Sequence, residues 1–524
     1  MEEGRATGWD GLVACARERR SELVFAAVVI LVGAALRAWV MAGPLGSPDL
    51  DEATVGVQAQ EFNAGRLSVF FLNQPYGGTL EPGLVAIAFR LFGASVFVLK
   101  LVPILFYAAT AVLCWRLAVR VGLGPVGRAS TALLAWCGPA YVVFFSTKER
   151  GFYGVAALLG VVYPLLVLRL AERRRSAAVD RRDLLGLGLC VGLGWWQTPL
   201  VVLVAVPAVG WLVVRRPEVV RRCGWAIGAA VMGALPWLVW NVRNGWASLD
   251  SGPPMGASWW ERVGDFWKRL SVMTGIETPF VPGRALMDWE WAGAVLVVAV
   301  LVVATVRTRR VASGLLATLI VGYSLLYGLN VLVELVGPDP RYLFLVVPLL
   351  AVCVGAMVPE VDEGLGRSAL LGGVGVVTVA LSVWGIVGLN REAERPGASF
   401  FLSSPGIEDV ATLLEQRDVE AAITDAAGMQ ITFLTGGRVE GSSFAVVRLR
   451  RLEERARRAS PSTYVLDRHS SGNADRLRTW LDERHIGYTE EAVGIWRVFF
   501  LTERVLPEDV PLLIFLGLPV RAPE

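Results

Sequence analysis

Histidine is nearly absent from this chain: only His469 and His485 occur in 524 residues, both near the carboxyl end. An imidazole-based metal centre in the rest of the chain is therefore excluded, and any cation there must be held by carboxylates and water. Both histidines read as ordinary surface residues. Cysteine is equally sparse. Cys15, Cys114, Cys137, Cys190, Cys223 and Cys353 leave the chain beyond residue 353 without a thiol, and no pair has zinc-ligand spacing. A disulfide scaffold and a structural zinc site are both excluded on that count. Charged residues make up only 19%, too few for a soluble chain of this length. No internal repeat is visible either, which counts against a transporter built from two related halves.

What fills the space is apolar. Hydrophobic residues reach 54%, tryptophan numbers 19 and the mean hydropathy is +0.52. The apolar runs are long enough to cross a bilayer, which takes ~20 residues as helix. The chain is thus expected to be a polytopic α-helical membrane protein. About eleven spans are expected, near 23–42, 96–115, 129–146, 154–170, 184–198, 199–214, 224–242, 291–306, 312–333, 342–358 and 368–389. The fifth and sixth share one apolar stretch divided at Gln197-Thr198-Pro199. Arginine fixes the expected orientation, because arginine-rich short loops stay cytoplasmic. Arg17, Arg19 and Arg20 precede the first span. Arg169, Arg173, Arg174, Arg175, Arg181 and Arg182 crowd one loop, Arg215, Arg216, Arg221 and Arg222 a second, and Arg307, Arg309 and Arg310 a third. Loops 43–95, 147–153, 243–290 and 334–341 then face outward. An acidic inner loop at Glu360, Asp362 and Glu363 departs from the pattern. The amino-terminal apolar segment is too long for a cleavable signal, and Arg37 and Trp39 follow without a small-residue cleavage site.

Three regions are expected: a cytoplasmic segment 1–22, a transmembrane domain 23–390 with functional outer loops, and an extracytoplasmic α/β domain 391–524. In the last, helices are expected over 406–417, 444–459 and 474–485, and strands over 421–424, 463–466 and 495–501. That alternation implies a small α/β layer. Gly436-Gly437 reads as a turn, and no phosphate-binding glycine loop follows a strand, so the domain should serve acceptor recognition or a partner contact. The apolar tail 510–520 is about half a span long and should be docked or interfacial.

The chemistry concentrates in the expected outer loops. Asp51-Glu52 follows the first span, and carboxylates at the lip of a membrane are costly unless used. Glu81 lies in the same loop, after Asn73-Gln74-Pro75-Tyr76-Gly77-Gly78. Asp51 and Glu81 converging could hold a divalent cation or divide the work of base and orienter. Alternatively, Asp51 caps a helix starting at Glu52 or Ala53, and Glu81 merely begins another. A second charged loop, Ser146-Thr147-Lys148-Glu149-Arg150-Gly151-Phe152-Tyr153, is either a self-satisfied ion cluster or an anion site. Arg341, followed by Tyr342, opens a late span. Guanidinium suits phosphate because it donates two parallel charge-assisted bonds; an interfacial anchor is the alternative for Arg341. Trp259, Trp260, Phe266 and Trp267 read as an interfacial helix. Trp195-Trp196 anchor a span end or line a lipid groove.

These residues together resemble the GT-C class of membrane glycosyltransferases, in the branch of protein mannosyltransferases and lipid A aminoarabinose transferases. The acidic pair after the first span, Glu81-Pro82 leading to Arg90-Leu91-Phe92-Gly93, the loop 146–153, Arg341-Tyr342 and the stretch 425–436 carry the resemblance. It departs from the aminoarabinose branch at Leu80-Glu81-Pro82-Gly83, where a Glu-Lys-Pro-Pro pattern is expected and the basic residue is missing. The resemblance implies inverting transfer of a hexosyl or pentosyl group from a polyprenyl-phosphate donor to a hydroxyl of a glycan, glycolipid or protein. Transfer would occur at the outer face of a bacterial plasma membrane. Asp51 and Glu52 would be catalytic, with Asp51 as base. Lys148, Arg150 and Arg341 would bind the donor phosphate, and Glu81, Tyr76, Glu149, Tyr153 and Tyr342 substrate or acceptor. A divalent cation on Glu81, Glu52 and Asp51 is an optional cofactor. No nucleic-acid partner is expected. The rival class is a lipid or solute transporter without covalent chemistry.

Overall fold

A computed structural model describes residues 9–172, 181–249, 256–281, 283–330, 339–361, 364–395, 402–444, 446–467, 472–510, 514–515 and 518–519, with side chains from Leu23 onward. Arg17, Arg19, Arg20, Arg173, Arg174, Arg175, Asp362, Glu363 and His469, and most of the tail, fall outside those residues or side chains.

The first helix, α1 (Trp9–Ala42), leads into two helices that share one connection, α2 (Leu50–Asn63) and α3 (Leu80–Phe92). There follow α4 (Val96–Val121), α5 (Pro125–Cys137), α6 (Ala140–Phe145), α7 (Tyr153–Glu172), α8 (Arg181–Gln197), α9 (Val202–Arg215), α10 (Cys223–Gly233) and α11 (Leu235–Arg243). Then come α12 (Trp259–Met273), α13 (Ala292–Arg307), α14 (Leu315–Tyr327), α15 (Val347–Met357) and α16 (Leu365–Ala393). Among the described residues, Leu23–Ala42, Val96–Val121, Tyr153–Glu172 and Leu365–Ala393 are long and apolar enough, by length and composition, to cross a membrane.

Helix lies over each expected span, but several are interrupted for identifiable reasons. The stretch 129–146 breaks at Gly138-Pro139, because Pro139 has no N–H to continue α5 and sits extended as the cap of α6. Between α8 and α9 the chain turns at Thr198, whose hydroxyl accepts from Leu200 N at 3.3 Å. The stretch 224–242 divides at Ala234, just ahead of Pro236. Helices α8 and α10 cross closely. A Cβ on Gly188 or Gly192 would lie 2.0 Å from the carbonyl oxygen of Ala226 or Ala230, so only glycine permits that approach.

The helix ends that carry the arginine-rich loops meet at one end of the bundle. Arg309 N donates to Val121 O at 2.7 Å, and Arg215 Nη2 to Ser313 O at 2.8 Å. Glu360, the acidic exception, caps α5 there, accepting from Val126 N and Gly127 N at 3.1 and 3.0 Å. A carboxylate suits the positive end of a helix, which explains an acid among arginines.

After α16 the chain builds an α/β layer with β1 (Ala421–Thr424), β2 (Glu440–Ser443), β3 (Thr463–Asp467), β4 (Tyr488–Val493) and β5 (Trp496–Leu501), in the order β2-β1-β3-β5-β4. The β2-β1-β3 part is parallel and the β3-β5-β4 part antiparallel. Helices α17 (Ile407–Gln416), α18 (Gly428–Leu434), α19 (Arg450–Arg458) and α20 (Asn473–Glu483) accompany it. The expected helix over 444–459 is shorter than its charge pattern suggested, and β2, β4 and α18 were not foreseen. In the tail, Ile514–Phe515 and Leu518–Pro519 pair as a short antiparallel hairpin.

The layer sits on α2 and α3. Met429, Phe433 and Leu452 join Leu50, Ala53, Val57, Val85 and Phe89 in one apolar cluster. The Phe433 and Phe89 rings stack at 5.9 Å. Gly56 makes room: a Cβ there would stand 2.5 Å from the Phe433 ring. Helix α2 is therefore buried for most of its length, covered by α18. The loop 70–78 packs on the loop before α7, with Phe71 and Tyr76 against Phe152.

Candidate active site

Helix α2 begins with a capping box. Asp49 Oδ1 accepts from Glu52 N at 3.0 Å, and Glu52 Oε2 accepts from Asp49 N at 3.2 Å. Asp51 is therefore not the cap. Capping at Asp51 would put Thr54 at the third helical position, where no carboxylate could reach back. Freed from capping, the Asp51 side chain points toward two guanidinium groups.

A chain of alternating charges runs from the cap to Asp51. Arg150 donates to Asp49 Oδ2 through Nη2 at 2.7 Å and Nε at 3.1 Å, and through Nη1 to Asp339 Oδ2 at 3.2 Å. Arg341 Nε donates to the same Asp339 oxygen at 2.7 Å, and its Nη1 to Asp51 Oδ2 at 3.2 Å. Tyr141 donates to Asp339 Oδ1 at 2.7 Å. Burial alone would raise the Asp49 and Asp339 carboxyls. Arg150 and Lys148 for the first, and Arg341 and Arg150 for the second, more than offset it and hold both below the usual carboxylate range. Glu52 is fully buried between two ammonium groups, Lys148 Nζ at 2.8 Å from Oε2 and Lys100 in contact with Oε1. Asp51 is the one acid of this group that solvent reaches: its side chain is 24% exposed, against 4% for Asp49 and 0% for Glu52.

Glu81 has a different role from the one expected. It caps α7, accepting from Val155 N at 2.6 Å and Gly154 N at 3.3 Å, and shares a hydrogen bond with Glu149. Burial pushes Glu81 up to about 7 despite the two backbone donors, and burial together with Glu81 pushes Glu149 well above the carboxylate range. Two buried carboxyls in contact must share a proton. Among the described residues no hydrogen bond or salt bridge joins Glu81 to Asp51.

Of the aromatic candidates, Tyr76 and Tyr342 lie in the field of Asp51 and Arg341; for Tyr76, burial and then Asp51 raise the phenol above its ordinary value. Tyr153, at the start of α7, packs on Phe152 and Phe145 with ring centroids 4.7 and 5.1 Å apart. Trp196 Nε1 donates to Val69 O at 3.1 Å, tying a span end to the loop after α2. In α12, Phe266 is fully buried while Trp260 is 70% exposed, so the helix is amphipathic.

The carboxylates do not form a cation site. Asp51 faces arginines, Glu52 faces lysines, and Glu81 faces amides and Glu149. Among the described residues no three His, Cys, Asp or Glu side chains gather into a metal-binding group. A divalent cation on Glu81, Glu52 and Asp51 does not fit this arrangement.

Three participants were not foreseen. Lys100, a single charge inside an apolar run, carried the signal that such a residue needs a partner. Gln197 links three segments, accepting from Leu80 N at 3.2 Å through Oε1, donating through Nε2 to Gly151 O at 2.9 Å, and accepting from Gly78 N at 2.8 Å through its own carbonyl. Arg448, in the α/β layer, donates through Nη2 to Asp51 Oδ1 at 3.3 Å. Nothing in its basic surroundings, Arg448-Leu449-Arg450-Arg451, set it apart.

No family model and no curated protein matches the sequence. Solved structures do. ArnT from Cupriavidus metallidurans bound to undecaprenyl phosphate superposes with a TM-score of 0.61 at 13% identity, over 92% of this chain and 97% of that one. The same protein in the apo state gives 0.62 at 13% identity, over 93% and 98%. ArnT is a lipid A aminoarabinose transferase of the GT-C class. The chain therefore has the GT-C fold that its loop motifs resembled.

Proposed function

We propose that this GT-C-fold chain is an inverting glycosyltransferase that moves a sugar from a polyprenyl-phosphate donor to an acceptor hydroxyl at the outer face of a bacterial plasma membrane. The observation that carries this reading is Asp51: an ionisable, solvent-reached carboxylate held by two guanidinium groups, in a fold shared with a protein crystallised with undecaprenyl phosphate. In the reaction the acceptor oxygen forms a bond to the anomeric carbon while the bond from that carbon to the phosphate oxygen breaks. The hydroxyl proton passes to Asp51, and polyprenyl phosphate departs with the electron pair of the broken bond. Arg341 is the cation best placed to stabilise that leaving phosphate. Lys148 and Arg150 lie one step behind Arg341, paired with Glu52, Asp49 and Asp339, and with it supply the positive charge for the donor phosphate. Tyr76 and Tyr342 flank Asp51 and suit sugar or acceptor contact.

The test is transfer by the full chain in nanodiscs, with a panel of polyprenyl-phosphate hexoses and pentoses and hydroxyl acceptors. Asp51→Asn removes the base and should lower turnover by roughly a hundredfold or more while the protein stays folded. EDTA should leave turnover unchanged, because each carboxylate is matched to a cationic side chain or a backbone amide. Normal turnover in Asp51→Asn would remove Asp51 from the chemistry. Failure to consume any donor would return the chain to the transporter class.

A further inference from the structure

The α/β layer reaches the site through one side chain. Arg448 lies between β2 and α19, and its side chain is 8% exposed. Its guanidinium stands over the Phe71 ring at 5.1 Å. Its two polar contacts are long, Nη2 to Asp51 Oδ1 at 3.3 Å and Nη1 to Leu72 O at 3.4 Å, and its buried Nε has no partner. A guanidinium that is nine-tenths buried, with a donor unused and two only loosely used, is under-satisfied. It is also aimed at the one solvent-reached acid of the site, opposite Arg341. The first turn of α3, Leu80-Glu81-Pro82-Gly83, carries no basic residue.

We propose that Arg448 is a ligand of the donor phosphate, so that the α/β layer completes the donor site and forms with Arg341 a two-guanidinium clamp on either side of Asp51. This deepens the transferase reading and rests on it. The clamp suits a phosphate monoester or diester, which accepts paired N–H donors in the plane of each guanidinium. A neutral sugar hydroxyl offers no charge to a pair of guanidinium groups, whereas a phosphate does. The layer's other arginine at this contact, Arg451, donates to Glu61 Oε1 at 2.6 Å and is 46% exposed. It helps to dock the layer and pairs with Glu61 and Glu440 rather than with Asp51, which makes it the control.

The experiment measures equilibrium binding of undecaprenyl phosphate to the full chain in nanodiscs, with phosphatidylglycerol and inorganic phosphate as separate arms. Arg448→Ala should weaken undecaprenyl phosphate binding roughly tenfold or more, the loss of one charge-assisted contact. Arg448→Lys should recover part of it, and Arg451→Ala should leave it near the wild-type value. Equal weakening by Arg448→Ala and Arg451→Ala, without recovery in Arg448→Lys, would make Arg448 a docking residue and overturn the proposal. Unchanged binding in Arg448→Ala would overturn it as well. Wild-type binding to phosphatidylglycerol or inorganic phosphate as tight as to undecaprenyl phosphate would reduce the clamp to a general anion site. If the wild type bound no phosphate-bearing ligand at all, the transferase reading itself would fail, a result separable from the others because it precedes any substitution.

Discussion

At the scale of single residues, the centre of the site is a matter of charge matching. Glu52 is surrounded by Lys100 and Lys148, all three essentially without solvent. Removing that carboxylate leaves two buried ammonium groups facing each other, and breaking a buried pair in this way costs about 3–5 kcal/mol. Glu52→Gln should therefore destabilise the chain by about that much, read as a large drop in the thermal unfolding midpoint in detergent. Adding Lys148→Met to Glu52→Gln should recover part of the loss, because one of the two stranded charges leaves with its partner. If the double variant were as unstable as the sum of the singles, the lysine would matter for its packing against Phe144, over whose ring it sits at 5.3 Å, and not for its charge. Asp51 differs in kind: it pairs with arginines at longer range and keeps access to solvent, which its proposed role as the base requires.

At the scale of elements, α7 depends on the shared proton of Glu81 and Glu149. Glu81 holds the first amides of that helix, and Glu52 adds to the negative field on Glu149. The Glu81 carboxyl is raised in the folded chain, from 4.5 to about 7. Between those values the folded state binds more protons than the unfolded one, so stability is greatest at the acid end of the window and falls as pH rises to about 7. The unfolding midpoint should follow that slope, and Glu81→Gln, which keeps an acceptor for the amides and cannot ionise, should flatten it. A slope unchanged in Glu81→Gln would mean another group carries the proton. The sequence made the neighbourhood legible but not this pairing. Apolar runs located the helices because burial in lipid demands them, and the strands β1, β3 and β5 were readable from short β-branched and aromatic runs. By contrast, the capping role of Asp49 depended on Glu52 reaching back, and the partner of Glu81 lay across a fold that spacing cannot measure. Lys148 and Arg150 were recognised as needing partners, yet which acids they met depended on where α2 and the segment at Asp339 came to rest. The strands β2 and β4 were missed because Glu440-Gly441-Ser442-Ser443 and the polar Tyr488–Val493 owe their conformation to neighbours in the sheet rather than to propensity.

At the scale of the molecule, the site joins two parts that the sequence separates by almost the whole chain. Asp51 and Arg448 meet because the layer docks on α2, and the α18 part of that contact requires a residue without a side chain at Gly56, where a Cβ would stand 2.5 Å from the Phe433 ring. The stretch 425–436, which took part in the family resemblance, is thus the docking helix and the loop before it. Gly56→Val should push α18 away from α2, since the ring is stacked on Phe89 behind it and has little room to retreat. The expected result is at least a tenfold loss of transfer with the apolar bundle still folded. It should be accompanied by faster amide exchange in α18 and by weaker binding of undecaprenyl phosphate. Pairing Gly56→Val with Phe433→Ala, which removes the clashing ring, should restore part of both. That recovery separates loss of docking from damage to α2: a helix broken by valine would not be mended by a smaller residue on its neighbour, and absence of recovery would assign the defect to α2 alone.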